Sequence, residues 1–130
     1  MANWRDRLTD AQSFWDVAEA ARDSEHTNQA ASNAILGAIA ANDAVCLFLG
    51  QSQPSGDSHT EAAVFLREAC KNTRWEEESG PKAQQLLNLV RQKSAAQYHG
   101  SVFTIDETDR VMKQAERFIR WAESVLPPGS

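Results

Sequence analysis

The stretch from about Thr27 to Leu49 constrains the fold of this chain more than any other. Ala31, Ala34, Ile35, Ala38, Ile39, Val45, Cys46 and Leu49 recur at helical spacing, and Leu36, Ala40, Leu47 and Phe48 widen the stripe beyond one face. A helix apolar around most of its surface has to be covered on more than one side. The expected cover is several neighbouring helices, with a second subunit as a further candidate. The many alanines let those neighbours come close. The longest apolar run, Ala34 to Leu49, is broken by Asn42 and Asp43. It therefore falls short of the roughly 18 uninterrupted apolar residues that mark a membrane span, and no membrane association is expected.

The same periodicity runs through the rest of the chain, and strand alternation is nearly absent. A first helix is predicted from about Thr9 to Arg22, with Thr9-x-x-Gln12 as a capping box and a stripe of Leu8, Ala11, Phe14, Trp15, Ala18 and Ala21, which Trp4 is a candidate to extend upstream. After the second helix, Gly50 is a plausible stop and residues 51–57 form a loop by composition. Ser58-x-x-Glu61 opens a third helix through Ala63, Phe65, Leu66 and Cys70. Asn72 to Gly80 reads as a charged connection, with Pro81 as the first residue of a fourth helix that carries Ala83, Leu86, Leu87 and Val90 and ends near Gly100. Thr104-x-x-Glu107 caps a fifth helix, whose core stripe is Val111, Met112, Ala115, Phe118, Ile119, Ala122 and Leu126. Pro127 ends it. The predicted fold is all-α: one domain over residues 1–130, an up-and-down antiparallel bundle of four to five helices with a core over about 9–126 and a tail at 127–130.

Composition narrows the function. The 130 residues carry 13 Lys and Arg against 18 Asp and Glu, a formal charge of -5. Such a chain lacks the global field of a general nucleic-acid binder, though a local basic patch remains open to it. The opening MANWRDRLTD brings charges at once, so no signal peptide is expected and the cytoplasm is the expected compartment. Cys46 and Cys70 read as two small buried hydrophobes rather than a disulfide or a catalytic thiol. His26, His59 and His99 lack the His, Cys or Glu neighbours at i+3 or i+4 that metal sites use, so neither a metal nor another cofactor is expected. There is no glycine-rich phosphate loop and no Gly-x-Ser-x-Gly motif.

Three polar groupings are candidates for function. On the fifth helix Arg110, Lys113, Arg117 and Arg120 align in one band flanked by Asp109, Glu116 and Glu123. Asp106–Arg110, Asp109–Lys113 and Glu116–Arg120 are acid-first i,i+4 pairs. The band serves either as a solvated face or as a phosphate-tracking stripe with Trp121 beside it. Asn42 and Asp43 either make structural hydrogen bonds, face solvent, or help to line a polar site. Lys93, Tyr98 and His99 gather a cation, a phenol and an imidazole near one helix end, the groups that acid–base work on a phosphodiester uses.

The run from Leu86 to Gly100 resembles the fourth-helix motif of HEPN-domain proteins, a leucine-rich stretch followed by a cation, here Lys93, then Ala96 and Tyr98. Asn42-Asp43-Ala44 is similar to the Ala-Asp-Ala stretch of a small bacterial subgroup, and Gly56-Asp57-Ser58-His59 to its turn before the third helix. The resemblance covers roughly Thr9 to Leu126. It implies a helical bundle, commonly a homodimer. Catalytic members are metal-independent ribonucleases, often toxins paired with an antitoxin-type protein. They join an arginine, an adjacent polar residue and a following histidine across the dimer. Here Lys93 stands at the arginine position, with Ser94 beside it and His99 after it, and lysine lacks arginine's bidentate fork. The resemblance therefore implies first a non-catalytic module binding a nucleotide, RNA or protein through Asn42, Asp43, His59, Lys93 and Tyr98. It implies second a ribonuclease in which Lys93 contacts phosphate, Ser94 and Tyr98 orient, and His99 moves the proton.

Overall fold

A computed structural model describes residues 3–50, 60–99 and 103–127, with the backbone alone for Thr60 and residues 94–99. The described residues form helices α1 (Trp4–Asp23), α2 (Thr27–Phe48), α3 (Thr60–Cys70), α4 (Glu76–His99) and α5 (Ile105–Val125). The all-α bundle expected from periodicity is present.

The helix starts differ from the expected ones in two places. α1 begins at Trp4, because the Asn3 side chain accepts the Asp6 backbone N–H at 3.1 Å. Thr9 is inside the helix, where its hydroxyl donates to the Arg5 carbonyl at 3.0 Å, so the Thr9–Gln12 capping box does not form. The packed unit accordingly starts before residue 9: Leu8 is buried, and Trp4 meets Phe48 edge-on at 5.5 Å. α4 begins at Glu76 rather than Pro81. Thr73 supplies the start: its hydroxyl accepts the Trp75 N–H at 3.2 Å and its carbonyl accepts the Glu76 N–H at 3.2 Å. Three glutamates in the first turn then favour the positive end of the helix dipole. Pro81 lies inside the helix and costs it one backbone bond, while Gly80, having no Cβ, relieves part of the clash of the residue before proline. The link between α3 and α4 thus shrinks to residues 71–75, with Asn72 in the left-handed region at φ 65°.

Other boundaries match the sequence reading. α2 stops at Leu49 and Gly50, where glycine takes φ 91° at no steric cost. The Thr104–Glu107 capping box forms in both directions, at 3.1 and 3.0 Å. Leu126 leaves helical geometry for extended backbone, as a residue before proline should. The Ser58 helix start lies outside the described residues.

α2 is the centre of the bundle and touches all four other helices. That explains its broad apolar surface within one chain: every residue from Gly37 to Cys46 is buried. By length and composition α2 could cross a membrane, yet 72% of its most apolar window is covered by the protein's own helices. α1 runs against α2, with Arg7 opposite Asp43 and Ala11 opposite Gly37. α5 runs alongside α2 in the same direction: Phe103 lies by Asn28, Ile119 by Gly37 and Leu126 by Ala44. α4 returns against α5, where Gln92 reaches Gln114 at 3.5 Å. The four long helices therefore alternate in direction along the chain. The short α3 packs on α4 and α2. The largest buried core side chains are Phe118, Ile35, Leu66, Leu86 and Leu89, drawn from α2 to α5. α1 contributes Leu8, Ala11 and Ala18.

Candidate functional site

The interrupting pair on α2 is held by other helices. Asn42 is fully buried, and its amide donates to the Ala62 carbonyl of α3 at 3.3 Å. Asp43 accepts Arg7 of α1 through Nη2 at 2.9 Å and Nε at 3.2 Å, and Arg7 also donates to Asp10 at 2.6 Å. These contacts tie α2 to α1 and α3. No hydrogen bond or ion pair joins Asp43 to Lys93 of α4 among the described residues.

Lys93 is half-buried. Its position is two turns below Leu86, on the inward side of α4, and it forms no hydrogen bond or ion pair among the described residues. The backbone of Ser94, Tyr98 and His99 occupies the last turns of α4, and their side chains lie outside the described part. His59 lies wholly outside it. His26 is exposed at the start of α2 and makes no capping hydrogen bond with its side chain. Among the described residues no three His, Cys, Asp or Glu side chains gather as metal ligands.

Both cysteines are buried and unbonded. Burial pushes the Cys46 thiol up to about 12, with the Asp43 charge adding to it. Burial likewise pushes Cys70 up to about 11, with Glu78 adding to it. Neither supplies a thiolate at neutral pH.

α5 sorts its charges between two edges. Asp109, Glu116 and Glu123 lie towards α1. Asp109 takes the Arg22 guanidinium in a two-point contact at 2.6 and 3.2 Å, which holds its carboxyl below the usual range. Glu123 receives the Gln12 amide at 3.5 Å, and Glu116 takes Arg120 at 3.6 Å. Of the three i,i+4 pairs expected on this helix, only Glu116–Arg120 closes among the described residues; Asp109 is taken by Arg22 of α1 in place of Lys113. Arg120 is thereby drawn to the acidic edge. Arg110, Lys113 and Arg117 remain exposed on the other edge, next to α4.

Lys82 of α4 joins that edge. Burial lowers its pKa, the nearby Arg117 charge lowers it further, and Glu78 acts in the opposite sense. Beneath these cations the α4–α5 contact is polar. Gln92 meets Gln114, and seven residues further along each helix stand Gln85 and Trp121, two turns away in the same antiparallel register. Gln85 Oε1 and Trp121 Nε1 are both buried with no hydrogen-bond partner among the described residues. The Trp121 ring is buried against Phe118 at 5.8 Å between centroids, so it offers no stacking face beside the cationic band.

Sequence spacing found the α5 band and Lys93 but missed Lys82, whose only local mark is its place after Pro81. It also missed Arg7 and Arg22, which act across helices. Comparison with protein-family models, with curated proteins and with solved structures finds no match to this chain.

Proposed function

We propose that this chain is a HEPN-like, non-catalytic module that binds RNA or a nucleotide through its phosphates, along the edge between α4 and α5. The supporting observation is the sorting of charge across α5. Asp109, Glu116 and Glu123 face α1, where Arg22 grips Asp109 and Arg120 and Gln12 make longer contacts to the other two. Arg110, Lys113 and Arg117 are left to solvent beside Lys82. Phosphate contacts need such a row of exposed cations, and Asp106 and Glu107 stand beside it at the Arg110 end. The motif of Lys93, Ala96 and Tyr98 lies in the last turns of α4, and a capped helix follows it, as the family pattern requires.

The test is anisotropy of a labelled single-stranded RNA in a salt titration. Arg117→Ala and Lys82→Ala should each weaken binding several-fold and reduce the salt slope by about 1. Asp109→Asn should leave the slope unchanged. Absence of binding at low salt would sink the proposal.

A ribonuclease is the second reading, favoured by a half-buried Lys93 with no ion-pair partner. α4 is continuous to His99. Six residues of helix carry His99 about 9 Å along and about 120° around from Lys93. Catalysis by this pair would therefore draw on a second copy, as the homodimer of the family implies. RNA incubated with the protein in EDTA should then be cut, His99→Ala should abolish cutting, and light scattering should report a dimer.

A further inference from the structure

Between α1 and α5, on the edge opposite the cations, runs a groove of about 240 Å³. Trp15 and Ile119 give it an apolar floor, and Asp16, Glu116 and Glu123 stand along its rim with Arg120. The carboxylates are weakly engaged. Asp16 has no hydrogen-bond or ion-pair partner among the described residues. Glu123 has only the 3.5 Å contact from Gln12. Glu116 has only Arg120 at 3.6 Å, and the Arg120 side chain is 73% exposed. By contrast, Asp109, one step along the same edge, is gripped by Arg22 at 2.6 Å.

We propose that this groove binds an aliphatic polyamine, a chain of ammonium groups joined by short alkyl links. The alkyl links lie on Trp15 and Ile119, removing apolar surface from water. The ammonium groups meet the rim carboxylates and the indole face, which attracts a cation. Spacing excludes a compact divalent ion as the occupant. Glu116 and Glu123 lie seven residues apart, about 10 Å along the helix. No three acidic or histidine side chains in the described part gather to hold one metal. An extended cation with separated charges fits that spacing. On binding it displaces Arg120 from Glu116, so Arg120 acts as an internal competitor for the site.

Isothermal titration of the full chain with spermidine, repeated with magnesium chloride and with butylamine, tests this. Spermidine should bind saturably at one site per chain, and magnesium at the same concentration should not displace it. The single ammonium of butylamine should bind at least about ten-fold more weakly, having fewer carboxylates to engage. Glu116→Gln with Glu123→Gln should weaken spermidine by about ten-fold or more, and Trp15→Leu by several-fold. Arg120→Ala should strengthen it. Asp106→Asn removes the same unit of charge elsewhere on α5 and should change nothing. The proposal is overturned if spermidine titrates without saturation, if magnesium displaces it, or if Asp106→Asn weakens it as much as the groove variants do. It is equally overturned if Arg120→Ala weakens binding. These outcomes are independent of RNA binding on the opposite edge of α5.

Discussion

Arg7 and Asp43 stand 36 residues apart in sequence and meet at 2.9 Å, the guanidinium of α1 laying two N–H groups on one carboxylate oxygen of α2. The pair is asymmetric. The Asp43 side chain is 7% exposed and that of Arg7 21%, and Arg7 keeps a second carboxylate in Asp10. Removing Arg7 takes two charge-assisted hydrogen bonds from a buried carboxylate, whereas removing Asp43 leaves an arginine that can turn to water. Arg7→Ala should therefore cost about 3 kcal/mol or more and Asp43→Ala about 1 to 2 kcal/mol. Urea unfolding of the two variants checks the order. Equal costs would show that the burial of Asp43 is not what makes the pair matter.

That relationship also marks where sequence reading stops. Period and caps gave the five helices, since Thr104 and Glu107 announce α5 within four residues and Gly50 closes α2. Arg7, Asp43, Arg22 and Asp109 carry no comparable signature, because a charge pair between helices depends on how two faces turn toward each other. Asn42 and Asp43 stood out as polar residues in an apolar helix. Whether they lined a site or held the fold rested on what α1 and α3 placed opposite them. The cationic band was legible because it lies on one helix. Its separation from the acids was not, because α1 takes one edge and α4 the other. Pro81 misplaced the start of α4, since proline is a common first helical residue and here stands inside a helix that begins at Glu76.

Gly37 tests how closely α1, α2 and α5 approach. A Cβ there would meet the Ala11 carbonyl oxygen at 3.2 Å and Ile119 Cδ1 at 3.3 Å. Ile119 can rotate, but the carbonyl belongs to the α1 backbone and moves only with the helix. Alanine gains about 0.5 to 1 kcal/mol of helix propensity, set against about 1 to 3 kcal/mol for overpacking. Gly37→Ala should destabilise by about 1 kcal/mol net, read as a lower denaturant midpoint. A stabilised variant would mean that the three helices have slack at this crossing.

Acid sensitivity follows from the carboxylates that are held ionised. Glu107 is kept below its ordinary 4.5 by the Thr104 backbone N–H and then the Thr104 hydroxyl. Asp109 is kept below its ordinary 3.8 by Arg22. In both, the folded value lies below the unfolded one. Their stabilising contribution is therefore fully present above the ordinary values and disappears as pH falls through the folded ones. Stability measured from pH 7 downward should stay level for these two groups until about pH 5 and then decline. Glu107→Gln and Asp109→Asn should each flatten the decline. Because both groups are exposed, salt should also reduce the slope contributed by the Asp109–Arg22 pair.

The thiols report on the cooperativity of the core. Cys46 and Cys70 are both buried, their thiols raised to about 12 and about 11 by burial before any neighbouring charge. Attack on a disulfide reagent needs a thiolate that the reagent can reach. At pH 8 the folded chain should therefore react only as fast as the bundle opens, and both thiols should label within seconds in concentrated guanidinium. Cys46 is on the central helix and Cys70 at the end of the short α3. If α3 detaches on its own, Cys70 will label ahead of Cys46 by a factor that measures that local opening. If both label at one rate, α3 unfolds together with α2. Mass spectrometry of partially labelled protein distinguishes the two cases, and rapid labelling of Cys46 in the native chain would refute the placement of α2 at the centre of the bundle.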